Sequence, residues 1–375
     1  MKCLHICNDF LGSRVHENLY RNLHNLGVEQ TIFYPPRPST MAQHQNYRKS
    51  FDCQIVPSKP MKNYHRVLFR RKISYIYKSI SSHCKEQTYD MVHATTLFSD
   101  GAVALRLKKE FGIPYVVAVR ATDIGGYLKL RPDLLFLGEK ILEESAQIVF
   151  ISQVLKEKFL NHRLIRKSRA KIEHKCLVIS NGIDSFWLSN ITGQKRIRPQ
   201  KILYVGTLES RKNSIMLIES VLRLNRMGVN CELTLVGEGG SFQKKVEELA
   251  VSNTSCIQYL GAIRDKETLR KIYDEHHIFA LPSKNETFGL VYLEALSQGL
   301  PVLYVENEGI DGLFEYNIGE KCTTLDSPTI ASNLEKLMIN YPDYELEKID
   351  FTKFSWANIS KTYFELYQRV IKPSA

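Results

Sequence analysis

At 375 residues the chain is long enough for two domains, each with a core of its own, and its 43% apolar and 24% charged residues are the composition of a globular protein. No apolar run approaches the roughly 18 residues that a membrane-spanning helix needs. With 51 Lys and Arg against 40 Asp and Glu, the net charge of +11 predicts attraction to a polyanion, whether nucleic acid, anionic lipid headgroups or a phosphorylated substrate.

No helix-turn-helix, zinc or single-strand stacking motif accompanies the charge, which argues against nucleic acid. The eight cysteines contain no C-x-x-C pair. Cys3 and Cys7 would stand on one strand, several residues apart and out of reach of each other, so reduced buried thiols in a cytosolic protein are expected. The opening run MKCLHICNDF is broken by Asn8 and Asp9 and reads as a first strand, not as a signal peptide.

Short strands alternate with helical stretches almost throughout, the pattern of parallel sheets covered on both faces. In the first half, strands are expected near Cys3 to Cys7, Gln30 to Tyr34, Met91 to His93, Tyr115 to Arg120 and Ile148 to Ile151, with helices between them such as Ala102 to Phe111. Residues 59–78 interleave seven Lys or Arg with Tyr64, Val67, Leu68, Phe69, Ile73 and other apolar side chains. As a helix this gives an apolar stripe with basic flanks, suited to an anionic membrane surface and equally to packing on a sheet with its charges in water. A second basic run extends from Lys156 to Lys175.

Asn181-Gly182 breaks the alternation, and residues 183–200 read as a linker by composition. Strands are expected again at Ile202 to Val205, Glu232 to Val236, Ile257 to Leu260, Ile278 to Leu281 and Pro301 to Val305. The chain is therefore predicted to hold two doubly wound units, 1–182 and 183–355, with a last helix from Trp356 to Ile371. Open sheets of this kind bind ligands outside the carboxyl ends of their strands.

The stretch PSKNETFGLVYLEALSQGLPV, from Pro282 to Val302, carries the most chemistry. A buried strand delivers the chain to a turn at Thr287-Phe288-Gly289, and a helix follows that stops at Gly299 before Pro301. The free N–H groups at 289–291 and the positive end of the helix would attract a diphosphate. Glu286 precedes this anion hole, and Glu294 lies about two turns into the helix at ~1.5 Å per residue. Carboxylates repel a bare diphosphate but accept from hydroxyls, so a nucleotide sugar satisfies both demands.

The ordered string Pro-Ser, Glu, Phe-Gly-Leu, Glu-Ala, Gly-x-Pro-Val resembles the E-x7-E signature of retaining GT-B glycosyltransferases, particularly glycosyltransferase family 4. The resemblance implies two Rossmann-like α/β domains facing a cleft, with the C-terminal helix crossing back onto the first. It implies that Glu286 contacts the donor sugar, Glu294 holds the ribose, and the amides of Phe288, Gly289, Leu290 and Val291 bind the diphosphate. Tyr204 to Asn213 (YVGTLESRKN) matches the family's G-R-L-x-x-x-K, with Gly206 in place, Lys212 on the lysine and Thr207 where the arginine stands. Arg211 can supply the missing charge. LTLVGEG, with Gly237, resembles the Gly-x-Gly turn near the nucleotide base, and Asn181 to Asp184 the N-G-x-D at the domain junction.

In the first domain Gly12 follows the first strand, where relatives carry two glycines that let backbone approach the donor phosphates. His93 ends a strand resembling the family's strand ending in histidine. VAVRATD departs most: where the family reads H-G-x-D, Arg120 replaces the histidine, Ala121 replaces glycine, and Asp123 matches. Arginine is no base at neutral pH. It can bind an anionic sugar or acceptor, brace the site through Asp123, or simply pair with Asp123 to shape the loop.

The expected activity is transfer of a hexosyl unit from a UDP- or GDP-linked sugar to a hydroxyl of a glycan or lipid-linked acceptor, with retention. No Asp-x-Asp occurs to clamp a metal, so Arg211, Lys212 and the helix amides would neutralise the leaving diphosphate, and no other cofactor is implied. Relatives often build envelope polysaccharides at the inner face of the membrane, which suggests a cytoplasmic enzyme, peripheral to that membrane. The rivals are an epimerase or sugar phosphorylase on the same scaffold, whose fuller acid/base or cofactor apparatus is not seen, and a basic nucleic-acid-binding protein. A dehydrogenase lacks its G-x-G-x-x-G after the first strand.

Overall fold

Strands buried on both faces must be apolar along their length, and most of those in this chain are. The computed structural model describes residues 1–12, 14–36, 53–194 and 198–372, with the side chain of Arg66 outside that set. The chain divides into two compact units, one formed by residues 1–182 and 356–375 and the other by 183–355.

In the first unit the strands are β1 (Lys2–Ile6), β2 (Glu29–Tyr34), β3 (Gln54–Pro57), β4 (Met91–Ala94), β5 (Tyr115–Ala118), β6 (Gln147–Phe150) and β7 (Cys176–Val178). They pair in parallel in the order β3-β2-β1-β4-β5-β6-β7. The second unit has β8 (Lys201–Val205), β9 (Glu232–Val236), β10 (Ile257–Tyr259), β11 (Ile278–Ala280), β12 (Val302–Val305) and β13 (Gly319–Cys322), in the order β10-β9-β8-β11-β12-β13. Both sheets reverse their winding beside the first strand, between β1 and β4 and between β8 and β11. Those two switch points are where such sheets open for ligands.

The helices of the first unit include α1 (Arg14–Asn25), α2 (Phe69–Glu86), α3 (Ser99–Phe111), α4 (Leu135–Glu144) and α5 (Gln153–Leu160). Along α2 the buried residues are Phe69, Ile73, Ile76, Ile80 and Cys84, each three or four residues from the next. The stripe expected in residues 59–78 is therefore turned into the fold, and the basic flanks face water.

The second unit carries α6 (Ser214–Arg226), α7 (Gln243–Ser252), α8 (Lys266–Glu275), α9 (Leu290–Ser297) and α10 (Ser327–Ile339). The last helix, α11 (Trp356–Ile371), belongs to the first unit. Its Trp356, Ile359, Tyr363, Leu366 and Tyr367 share one core with Leu19, Tyr20 and Leu23 of α1. The return of this helix to the first domain, expected from the resemblance, is thus observed.

Residues 183–194 are more ordered than a linker composition suggests. Asp184 caps a short helix, Ser185–Ser189, by accepting from the Phe186 amide at 3.0 Å, and Trp187 is buried. Gln298 donates to the Asn190 carbonyl at 2.9 Å, so the segment lies against the end of α9. Residues 195–197 fall outside the described part.

Candidate functional site

The switch point of the second sheet brings two loops side by side. One runs from the end of β8 through Gly206 and Thr207 to a single turn at Ser210–Lys212; the other runs from the end of β11 to α9. They are stitched together by backbone and amide: the Lys284 N–H donates to the Arg211 carbonyl at 2.8 Å, and the Asn213 side chain donates to the Pro282 carbonyl at 2.8 Å. Asn213 and Asn285 both adopt the left-handed conformation that asparagine tolerates in tight turns.

This stitching sets Lys212 Nζ in a direct ion pair with Glu286 Oε2. Only 12% and 11% of these two side chains is exposed, so water screens the pair little and each holds the other's geometry. Glu286 is fixed further by its own carbonyl, which accepts from the Gly309 N–H at 2.8 Å. A Cβ on Gly309, whose φ is +50°, would stand 3.0 Å from Glu286 Cγ and crowd that side chain.

Gly289 begins α9 with φ +72°, and a Cβ there would come within 2.5 Å of the Tyr292 ring. The glycine lets Tyr292 fold back under the turn and donate its hydroxyl to the Leu281 carbonyl at 2.6 Å. The first-turn N–H groups at Leu290 and Val291 have no partner within the helix, and with those of Phe288 and Gly289 they form a donor set beside Lys212 and Glu286. Phe288 itself is buried and anchors the turn.

One and a third turns along, Glu294 meets a different environment. Burial first, and then the charge of Asp184, push its carboxyl up to about 7, against the opposing pull of Lys266 and a hydrogen bond with Trp187. Lys266 pairs with Asp184 at 2.5 Å. The aspartate of the N-G-x-D string is therefore both a helix cap and an electrostatic neighbour of Glu294. Lys266 was not among the residues singled out from sequence, where a lysine at the start of an amphipathic helix carries no distinguishing signal.

Gly237 closes over the β8 loop. Its φ is +145°, and a Cβ there would lie 1.8 Å from the Gly206 carbonyl oxygen, so any side chain would displace the turn. Thr207 is exposed, and its carbonyl accepts from the Tyr204 hydroxyl at 2.7 Å. Arg211 turns to Glu209 at 2.7 Å, with both side chains more than 40% exposed, and does not join the Lys212–Glu286 pair. An exposed pair of this kind contributes little to stability and can be drawn apart by a ligand.

The corresponding switch point in the first unit looks chemically different. Asp123 is fully buried and accepts from the backbone amides of Arg120, Leu97 and Phe98 at 2.8, 3.2 and 3.3 Å. Desolvation raises its carboxyl to about 6, with those amides opposing. The carboxylate clasps three loop amides rather than pairing with the Arg120 guanidinium, whose Nε donates to the Thr95 carbonyl at 3.1 Å. His93 is buried too, with Nδ1 at 2.7 Å from the Tyr367 hydroxyl of α11. Burial, then the charges of His5 and Arg120, hold its imidazole well below the ordinary range, so it is neutral at physiological pH. Gly12 lies in a one-turn helix after β1, where a Cβ would approach the Asp9 carboxylate to 2.6 Å.

Residues 12–185 match the sequence profile of "Glycosyltransferase Family 4" and residues 199–340 that of "Glycosyl transferases group 1". The chain belongs to glycosyltransferase family 4. An uncharacterised glycosyltransferase of Methanocaldococcus jannaschii is 25% identical over 303 residues, 75% of each chain. Among solved structures, a lipopolysaccharide outer core galactosyltransferase in its apo form aligns at a TM-score of 0.72 with 17% identity, over 98% of this chain and 100% of that one. An Anabaena protein in complex with UDP and glucose aligns at 0.68 with 16% identity, over 98% and 99%.

These structural likenesses carry the fold, and the fold is GT-B. The family 4 chain is accordingly a retaining glycosyltransferase that draws sugar from a nucleotide sugar. No helix among its described residues is long and apolar enough to cross a membrane.

Proposed function

We propose that this glycosyltransferase moves a hexosyl unit from a UDP- or GDP-linked donor to a hydroxyl of a glycan or lipid-linked acceptor in cell-envelope polysaccharide synthesis, working in the cytoplasm. The second unit takes the donor and the first takes the acceptor. The observation that carries the donor assignment is the shielded Lys212–Glu286 pair beside the first-turn amides of α9, at the switch point of the second sheet. UDP is the favoured nucleotide because the Anabaena structure is a complex with UDP and glucose, and an envelope acceptor is favoured by the likeness to a lipopolysaccharide galactosyltransferase.

Before donor binds, Lys212 and Glu286 neutralise each other. A diphosphate arriving at the amides of 288–291 competes for the ammonium, which frees the Glu286 carboxylate for the hydroxyls of the sugar. Glu294, once ionised, accepts from the ribose hydroxyls. In the reaction the bond from the anomeric carbon to the diphosphate oxygen breaks, and its electron pair stays on the phosphate. The acceptor oxygen bonds to the same face of that carbon, and its proton passes to a phosphate oxygen. Lys212 and the helix amides stabilise the charge that develops on the leaving group, the term worth most in such a step. Arg211 can swing from Glu209 to add to it.

The test is turnover of a panel of UDP- and GDP-hexoses with cell-envelope glycans as acceptors, comparing wild type with Glu286→Gln. Wild type should use one donor and release the nucleoside diphosphate, with Glu286→Gln folded and inactive. Equal turnover by the variant would end the role given to Glu286.

A further inference from the structure

We infer that Arg120 is a receptor for a carboxylate, so that the sugar lodged at the switch point of the first sheet is an acidic one, either the acceptor or the hexosyl unit in transfer. That the ligand is a sugar rests on the proposed function; that it is anionic rests on the first unit alone.

The Arg120 side chain is held in place. Its backbone N–H donates to Asp123 at 2.8 Å, and its Nε donates to the Thr95 carbonyl at 3.1 Å. Thr95 is fixed in turn, its hydroxyl donating to the buried Asp100 at 2.8 Å. Arg120 follows β5 and Thr95 follows β4, so the side chain is laid from one strand end across the next, on the side of the sheet where β4 meets β1. Ligands of open sheets bind outside those strand ends.

What these anchors leave over is the outer edge of the guanidinium. No carboxylate among the described residues pairs with it. Asp123 spends its oxygens on three amides, and Asp100 Oδ2 takes the hydroxyls of Thr95 and Thr96. Arginine cannot shed its proton to escape a charge left unanswered. A half-buried cation, oriented and without a partner acid, is arranged for an anion that arrives with a ligand.

The rings around it bring no second charge. His16, Tyr20, His5, His93 and Tyr363 follow one another at centroid distances of 6.0, 4.1, 5.5 and 5.5 Å. The Arg120 charge acts on His16, His93 and Tyr363 alike. Burial, then Arg120 and His5, lower the His16 imidazole to about 3, so it is neutral, as His93 is. His93 Nε2 is buried with no partner among the described residues, which makes the surroundings polar without being charged. One fixed positive charge answers one negative charge, and two parallel N–H bonds from a guanidinium edge match a carboxylate. A doubly charged phosphate would meet a single cation here.

The experiment is calorimetric titration of the full chain with methyl uronides of the gluco and galacto series against their neutral methyl hexosides, and with the UDP-linked uronic acids against the UDP-hexoses. Wild type should prefer the acidic member of one of these pairs by about tenfold or more. Preference in the first set puts the carboxylate on the acceptor, and preference in the second puts it on the transferred sugar. Arg120→Gln should erase the preference, and Arg120→Lys, which keeps the charge and loses the fork, should restore part of it. Equal affinity for acidic and neutral members in both sets, or no binding of either, overturns the inference. So does a preference that survives Arg120→Gln, tighter binding of glucose 6-phosphate than of any uronide, or a variant that melts earlier with its preference intact, which is the mark of a bracing role alone. An Arg120-dependent preference in a chain that transfers nothing would count against the proposed function only. Transfer between neutral sugars without the preference would sink this inference and leave the proposed function standing.

Discussion

The two switch points are built from one topology and loaded in opposite ways. In the second unit the strand ends carry a shielded but reachable ion pair, Lys212 with Glu286, next to helix amides with no internal partner. In the first, Asp123 is wholly spent on the amides of Arg120, Leu97 and Phe98, and His93 is sealed against Tyr367. Shared topology therefore decides where a site can be, and local side-chain commitments decide whether charge there is available for chemistry. Arg120 stands between the cases, a half-buried cation whose Nε donates to the Thr95 carbonyl and whose backbone amide donates to Asp123.

The sharpest way to break this contrast is to remove charge on each side. Lys212→Ala should lower turnover by about a hundred- to a thousandfold, roughly 3–4 kcal/mol of transition-state stabilisation, measured as kcat at saturating donor. Asp123→Ala should act on folding instead. It leaves three amides without their acceptor and should cost roughly 3 kcal/mol or more, seen as a lower denaturation midpoint. If Asp123→Ala kept wild-type stability while losing activity, the clasp would be the wrong description.

Glu294 sharpens the comparison through pH. Its carboxyl is raised to about 7, by burial first and Asp184 second. Between the ordinary glutamate range and about 7 the folded chain keeps a proton that the unfolded chain has lost, so this group's contribution to stability falls as pH rises through that window. Donor binding runs the other way, because ribose hydroxyls need the ionised carboxylate. UDP affinity should rise by roughly tenfold between about pH 6 and pH 8, and Glu294→Gln should flatten that dependence. The smallest effect is expected from Tyr367→Phe, which takes away the hydroxyl hydrogen-bonded to the buried His93 ring and should cost about 1 kcal/mol in thermal denaturation without altering KM.

Much of this was legible before the structure. The long apolar strands, such as Gln30 to Tyr34 and Glu232 to Val236, announce themselves by composition, and the observed limits differ from the expected ones by a residue or so. The strands not anticipated are Gln54–Pro57, Cys176–Val178 and Gly319–Cys322, all three at sheet edges and too short or too polar to show a pattern. The string around Glu286 was readable because a turn glycine, a helix start and two carboxylates sit within one short segment. Lys212 was readable through its match to the family's G-R-L-x-x-x-K string, but Gly309 and Lys266 were not, since they reach the site only through tertiary folding. The basic segment of residues 59–78 shows the limit of periodicity: it revealed the apolar stripe of α2 but not which way the stripe would face.

The most direct measurement is calorimetric titration of UDP and of GDP into wild type and Lys212→Ala. The account predicts that one of the two nucleotides binds wild type and that the alanine variant binds it at least about tenfold more weakly, because the ammonium meets the diphosphate. Equal affinity in the two proteins, or binding of neither nucleotide to wild type, would contradict it.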